Sequence, residues 1–167
     1  MSQEINQEME ALIRGWGLPE ALEEQEDDIE YQFNDQRIVN NHEQTYHCKD
    51  GDVKFCLYNK VNNKALFTMD FFNKRPRIMG SRENERAIKL QLLYVIDDSL
   101  RGKKVAKFYV EKLQKYAIEK EMDCIHVDPY IEVDIFKNNM VNALSLRELE
   151  KFYDNLSTPE MPIKRIY

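Results

Sequence analysis

The segment from Lys89 to Val127 constrains the fold more than any other part of the chain. The apolar run Lys89–Ile96 predicts a central strand, and Met122–Val127 predicts a second, buried strand. Between them, a turn containing Gly102 leads into a predicted helix that starts at Lys103 or Lys104, ends at Glu119 and has one apolar face. A strand, tight turn, helix and strand form a βαβ unit with parallel strands. We therefore expect an α/β or α+β fold.

Further elements are predicted on both sides of this unit. Hydrophobic periodicity and turn residues predict an opening helix, a hairpin of two strands, a late helix and a short final strand. In chain order these are 4–13, 53–58 with 65–72, 146–155 and 163–167. Asn62 and Asn63 suit the turn of the hairpin, and Ser145 with Glu148 forms a capping box at the start of the late helix.

Several segments have a less definite pattern. Residues 20–28 predict an acidic helix or a solvated run, and short β-type runs separated by polar residues follow from Ile29 onward. Residues 73–86 are polar and rich in arginine, which indicates a loop. Residues 130–142 are compatible with either a strand or a loop, because Ile131, Val133 and Ile135 alternate with polar residues before an asparagine-rich end.

Length and composition favour one globular domain over residues 1–167. The chain has 43% hydrophobic residues, and its first thirty residues form an acidic, helical segment with ten acids and one base. The remaining residues carry twenty acids and twenty-three bases, an excess too small and too dispersed for a nucleic-acid footprint. We expect no nucleic-acid partner.

The chain shows no sign of export or membrane insertion. Its first residues are acidic, unlike a secretory signal, and no run of about 18 uncharged apolar residues occurs. Three cysteines are too few and scattered for a disulfide framework, so we expect free thiols and a cytoplasmic location. The spacing of His42, Glu43, His47, Cys48 and Cys56 matches no standard zinc pattern, and we expect no metal site.

The turn between the central strand and its helix is the most informative local feature. Asp97 to Ala106 contains Gly102, which allows the backbone to enter a helix tightly. The free amides of the first helical turn form an anion site, and Arg101, Lys103 and Lys104 add positive charge around it. The alternative is an ordinary turn with basic residues in solvent.

The same segment resembles the acetyl-coenzyme A motif of the GNAT acetyltransferase superfamily. The resemblance covers LLYVIDDSLRGKKVAKFYVEKLQKYAIEKEMDCIHV. The family pattern at the turn is Gln or Arg, two residues, Gly, one residue, then Gly or Ala. Arg101 and Ala106 match its ends, and Lys104 stands where the family has Gly. The Lys104 side chain either crowds the coenzyme phosphates or neutralises them.

The resemblance implies a fold and a coenzyme site. The fold would be a mixed, mostly antiparallel central sheet with a splayed pair of parallel strands, flanked by helices. Acetyl-coenzyme A would lie in the splay, with its pyrophosphate on main-chain amides of the turn. The implied coenzyme-binding residues are Leu93, Tyr94, Val95, Arg101, Gly102, Lys103, Lys104, Val105 and Ala106.

The resemblance also implies candidate catalytic residues. The phrase LEKFYD is similar in part to a family phrase whose tyrosine protonates the leaving thiolate, which makes Tyr153 the candidate general acid. Many relatives have a Glu on the motif strand as general base, and this chain has Gln91 there. The alternatives are Asp70, His126, Asp128 and Glu132, of which His126 and Asp128 lie at the end of the splayed strand.

Two functional hypotheses follow. The first is an N-acetyltransferase that moves the acetyl group of acetyl-coenzyme A directly to an amine of a small molecule or protein. The second is a non-catalytic module that keeps the fold and binds a protein partner. A homodimer is compatible with both, and neither involves a membrane.

Overall fold

A computed structural model of the chain describes residues 2–33, 48–49, 52–74, 85–130 and 144–166. Within these residues lie three α-helices, which are α1 (Ser2–Gly15), α2 (Val105–Glu119) and α3 (Leu146–Leu156). The strands are β1 (Ile29–Gln32), β2 (Cys48–Lys49), β3 (Asp52–Asn59), β4 (Lys64–Asn73), β5 (Ala87–Val95), β6 (Cys124–Val127) and β7 (Ile163–Arg165). Two 3-10 helices, Glu20–Asp28 and Asp98–Leu100, complete the described elements. None of the described helices has the length and apolar character needed to cross a membrane.

The described strands form one mixed sheet of seven strands. Their order is β1-β3-β4-β5-β6-β7, and β2 also pairs with β3. The pairings from β1 to β5 are antiparallel, whereas β5 with β6 and β6 with β7 are parallel. The prediction of a βαβ unit with parallel strands is confirmed, and the protein has a mixed α/β fold.

The strand order places α2 and α3 on the same face of the sheet. The chain passes from β5 through α2 to β6, and then through α3 to β7, always toward the same edge. Right-handed crossovers that proceed in one direction put their helices on one face. Gln114 of α2 is buried and donates from Nε2 to the carbonyls of Leu156 and Met161, at 2.8 and 3.2 Å. These bonds hold α2 against the link between α3 and β7.

The hydrophobic core lies between these helices and the sheet. Tyr109 of α2 is fully buried, and its ring stacks on that of Phe67 in β4 with centroids 4.7 Å apart. Trp16, which follows α1, stacks on Phe71 at 6.2 Å, so the N-terminal helix joins the same core. Aromatic pairs at these distances contribute about 0.5–1.5 kcal/mol beyond the burial of their area.

The opposite face of the sheet carries polar side chains. Along β4, Phe67, Met69 and Phe71 belong to the helix-side core, so the alternating residues Thr68 and Asp70 point the other way. Both are buried, with 1% and 5% of their surface exposed. This second face, which we call the polar face, thus contains buried polar groups, and it also carries a small apolar cluster around Cys56 and Ala65.

Most predicted boundaries lie within a few residues of the observed ones. The hairpin turn spans four residues, 60–63, and only Asn63 has a positive φ, of 59°. The acidic segment Glu20–Asp28 forms 3-10 turns that are interrupted by a kink at Gln25, and it buries Leu22. The capping box of Ser145 and Glu148 is confirmed. Residues 34–47, 75–84 and 131–143 lie outside the described residues, and with them the predictions for the arginine-rich loop, for 131–142, for Glu132 and for His42, Glu43 and His47.

Candidate functional site

The strand β5 loses its β6 neighbour halfway along its length. The parallel ladder runs from Ala87, opposite Cys124, to Leu90, opposite Val127, and then stops. Pro129 follows two residues later and has no backbone N–H with which to extend the ladder. Beyond Leu90, no described strand pairs with this edge of β5, so within the described residues the sheet is open beside the last five residues of β5.

A β-bulge lies at the point where the sheet opens. Asp70 of β4 pairs with Leu92, but the next residue, Phe71, pairs with Leu90. Gln91 is therefore an extra residue on β5 and lies outside the β4 ladder. A bulge bends its strand and re-aims the following residues, so the open half of β5 turns at Gln91.

A cavity of about 750 Å³ lies on the helix side of this opening. It is bounded by the end of β5, the turn that follows, and the beginnings of α2 and α3. Its lining residues are Leu93, Val95, Leu100, Arg101, Gly102, Lys104, Val105, Ala106, Lys107, Leu144, Glu148, Leu149 and Phe152. This volume falls within the range of about 300–1,000 Å³ that is typical of ligand sites.

Two residues with a left-handed backbone conformation shape the turn at the N-terminus of α2. Gly102 has φ of 79°, and Lys104, the N-cap of α2, has φ of 66° and ψ of 18°. No described residue accepts the backbone N–H of Val105, Ala106 or Lys107, and no side chain caps the helix. These amides carry the positive end of the helix dipole toward the cavity.

The conformation of Lys104 explains why glycine suits its position. A left-handed backbone is unfavourable for a residue with a Cβ by about 1–2 kcal/mol, and glycine adopts it freely. We expect Lys104→Gly to raise the free energy of unfolding by about 1 kcal/mol, since the added entropy of the unfolded chain offsets part of the gain. Urea denaturation measures the change. Lys103→Gly is the matched control, because Lys103 has no positive φ and should gain nothing. An unchanged stability of Lys104→Gly contradicts the prediction.

Basic side chains surround the exposed amides. Arg101 donates from Nε to the carbonyl of Val95 at 3.0 Å, and its guanidinium lies 6.0 Å from the centre of the Tyr94 ring. Lys104 and Lys107 line the same cavity. Opposite them, Glu148 has a lowered pKa because the backbone N–H of Ser145 donates to its carboxylate. The cavity therefore joins an apolar floor to a mainly positive rim, which suits an anionic ligand.

The structure brings together seven of the nine coenzyme-binding residues that the resemblance implies. Two do not line the cavity. Tyr94 points to the opposite face of β5, where it is buried, and the side chain of Lys103 is exposed. The residues on the cavity wall are Leu93, Val95, Arg101, Gly102, Lys104, Val105 and Ala106.

None of the three predicted catalytic residues lies on the cavity wall. Tyr153 has no exposed surface, and its ring packs edge-on against Phe152. His126 points to the opposite face of the sheet, where Glu85 and Lys74 contact its ring. Asp128 follows β6 and accepts the backbone N–H of Tyr130 at 3.1 Å. The roles of Tyr153, His126 and Asp128 stay predictions.

Asp70, one of the open alternatives for the general base, has an unusual environment. It lies on the polar face, one strand away from the opening, and pairs with Leu92 next to the bulge. Burial raises the pKa of its carboxyl to about 6, against the opposing effect of Lys54, whose Nζ lies 3.8 Å from Oδ2. A carboxylate with this pKa is a proton acceptor near neutral pH.

Several lining residues were not predicted. Lys107 directly follows Ala106, the last residue of the predicted anion site. It could have been included, because the first turn of a helix extends over the residue after Ala106 as well. Glu148, Leu149 and Phe152 belong to a helix that the sequence predicted, but no sequence pattern indicates that its start faces the end of β5. The bulge at Gln91 has no sequence signal, because bulges depend on the register with a partner strand.

The comparisons with known proteins add little to this geometry. No family model and no curated protein matches the chain. Among solved structures, it is similar to a tetramutant of the BH1408 protein from Bacillus halodurans, with 15% sequence identity and a TM-score of 0.45. The match covers 72% of this chain and 63%, less than two thirds, of that chain. A similarity this low carries no argument about fold or activity.

Proposed function

We propose that the protein is an N-acetyltransferase of the GNAT type that uses acetyl-coenzyme A as its acetyl donor. The observation that carries the proposal is the cavity at the open end of β5, with the first-turn amides of α2 on its rim, which no described residue accepts. An anionic group and an extended apolar chain in one ligand would match both parts of this cavity. A helix N-terminus favours phosphate, and coenzyme A carries a pyrophosphate.

The residues present fit the coenzyme. Val105, Ala106 and Lys107 supply backbone N–H donors for the pyrophosphate, and Arg101 and Lys104 supply charge. The open edge of β5 beyond Leu90 presents backbone groups with no described partner strand, and an extended ligand with amide groups can pair with such an edge. In this arrangement the GNAT-like splay corresponds to the parallel pair β5 and β6.

The proposed reaction is a direct transfer. The amine nitrogen forms a bond to the thioester carbonyl carbon and the carbon–sulfur bond breaks. The nitrogen loses one proton as it becomes an amide, and the departing thiolate takes up one proton to give the free thiol. The amine must be neutral to attack, so a base must first remove a proton from the ammonium. We assign this step to Asp70, whose buried carboxyl has a pKa of about 6 and pairs with Leu92 beside the bulge. Asp70 lies on the polar face and does not line the cavity, so it would remove the proton through a water molecule. The acceptor is an amine of a small molecule or a protein.

Titration with acetyl-coenzyme A tests the proposal directly. We expect saturable binding with one coenzyme per chain by calorimetry, and a melting temperature that rises with coenzyme concentration, because a ligand of the folded state stabilises it. Coenzyme A should compete, and acetate should produce neither effect. Absence of heat and of a thermal shift at millimolar coenzyme would eliminate the enzyme and leave the non-catalytic binding module.

A further inference from the structure

A second group of chemically active side chains lies on the polar face, away from the cavity. The Glu85 carboxylate accepts a hydrogen bond from the Cys124 thiol, with Sγ 2.7 Å from Oε1. The same oxygen lies 3.2 Å from Nε2 of the His126 ring. The ligand atoms of the three residues lie within 4.8 Å of one another. A sulfur, a nitrogen and an oxygen donor thus converge on one point.

The fold explains how these residues meet. Cys124 and His126 are two positions apart on β6, so their side chains point to the same face of the sheet. Glu85 comes shortly before β5, whose first residue, Ala87, pairs with Cys124. Cys124 is fully buried, and the His126 side chain is 12% exposed. The strand β6 thus holds two of the ligands, and the segment directly before its neighbour β5 holds the third.

We propose that Glu85, Cys124 and His126 form a binding site for a zinc ion, with three protein ligands and one open coordination position. Cysteine, histidine and carboxylate are the ligands that zinc prefers in proteins. At ordinary zinc–ligand bond lengths, neighbouring ligand atoms in a tetrahedral site lie about 3.3–3.7 Å apart. Two of the separations here are 2.7 and 3.2 Å, so small side-chain shifts create the coordination shell. The thiol loses its proton to solvent when the sulfur binds the metal.

Three lysines surround the cluster and influence metal affinity. Lys164 of β7 donates to both oxygens of Glu85, at 3.0 and 3.2 Å. Lys74 contacts Nδ1 of His126 at 3.0 Å, and Lys89 pairs with His126 across the ladder. The ammonium groups of Lys74 and Lys164 hold the ligands in place without metal, but they occupy lone pairs that a metal needs and, with Lys89, they repel a cation. Zinc binding requires that Lys74 releases Nδ1, which then carries the imidazole proton.

The site lies at the opposite end of the β5–β6 pair from the opening. Its ligands are near the start of both strands, whereas the cavity lies at the end of β5 and on the other face. A bound metal would join the segment before β5 to β6. Metal binding and coenzyme binding should therefore be independent, and each can fail without the other.

Cobalt and zinc are suitable probes for the full chain kept under a thiol-free reductant. We expect one zinc ion per chain by calorimetry and, with cobalt, a thiolate-to-metal charge-transfer absorption. Cys124→Ser should remove that absorption and weaken zinc binding by about 100-fold or more. Cys56→Ser and Cys48→Ser are the matched controls, and both should bind as the unmodified protein does. Binding that follows Cys48 or Cys56 instead of Cys124 overturns the proposal.

Two substitutions at partly exposed positions test the same site in case Cys124→Ser does not fold. Glu85→Gln removes a charged ligand at a side chain that is 33% exposed, and it should weaken zinc binding by about tenfold. Lys164→Met removes a competing ammonium, and it should strengthen zinc binding severalfold. If the cluster is only a hydrogen-bond network, neither the unmodified protein nor any variant should bind zinc. That result also overturns the proposal.

Discussion

Gly102→Val is expected to weaken acetyl-coenzyme A binding by about 100-fold or more while the protein still folds. Gly102 has φ of 79°, a conformation that a β-branched residue does not adopt without strain. The turn must therefore change its path, and the amides of Val105 and Ala106 move with it. A displacement of about 1 Å in a positioned group is enough for an effect of this size. Calorimetry with acetyl-coenzyme A measures the loss.

Gly17→Val is the matched control for this substitution. Gly17 has φ of 75°, and a Cβ there would meet no atom within 4 Å, as at Gly102. The two variants should therefore lose similar stability, but Gly17 does not line the cavity and its variant should bind the coenzyme normally. Equal binding by both variants would show that the turn at Gly102 does not hold the ligand.

Asp70→Asn is expected to lower turnover with a suitable amine by about 100-fold, because proton removal by a positioned base contributes on this order or more. In the unmodified protein, kcat/KM should fall as the pH drops through about 6, the pKa of Asp70. The variant should lose this acid limb. Release of free coenzyme A thiol across the pH range measures both effects. His126→Gln and Asp128→Asn replace the other candidate bases and should retain the acid limb if Asp70 is the base.

The same substitution should make the protein more stable at neutral pH. The pKa of Asp70 is raised in the folded state, from 3.8 to about 6, so the folded protein binds this proton more tightly than the unfolded chain does. Stability is lost as the pH rises from about 4 to 6, by about 2–3 kcal/mol. Asparagine carries no charge to bury, so Asp70→Asn should have a higher free energy of unfolding than the unmodified protein at pH 7. At pH 4 the aspartate is protonated in the folded state, and the two proteins should be equally stable. A variant that is less active and less stable together would indicate a structural role for Asp70.

The parts of the fold set by local sequence were predictable. The apolar runs of β5 and β6 and the periodicity of α2 are properties of single segments, and the parallel pairing followed from right-handed crossover. The left-handed turn also had a local signal in Gly102. Its second left-handed residue, Lys104, was visible only as a departure from the family pattern, and the structure supplies the physical reason.

The parts set by pairing and distance were not predictable. Gln91 becomes a bulge only because Asp70 and Phe71 pair with residues on either side of it. Tyr153 lies on an apolar helix stripe, and only the packed structure shows that it has no exposed surface. Glu85 meets Cys124 across 39 residues of chain, a separation at which no spacing rule applies.

Pro129 has a consequence for how a ligand enters the opening beside β5. Because proline lacks the donor that would continue the ladder past Leu90, the covalent structure of the chain itself opposes further pairing of these two strands. Among the described residues, no ladder between β5 and β6 beyond Leu90 has to break before a ligand enters, and little interaction energy is used to reshape this edge. The cleft is thus ready before its ligand arrives, and association should be fast and free of a slow conformational phase.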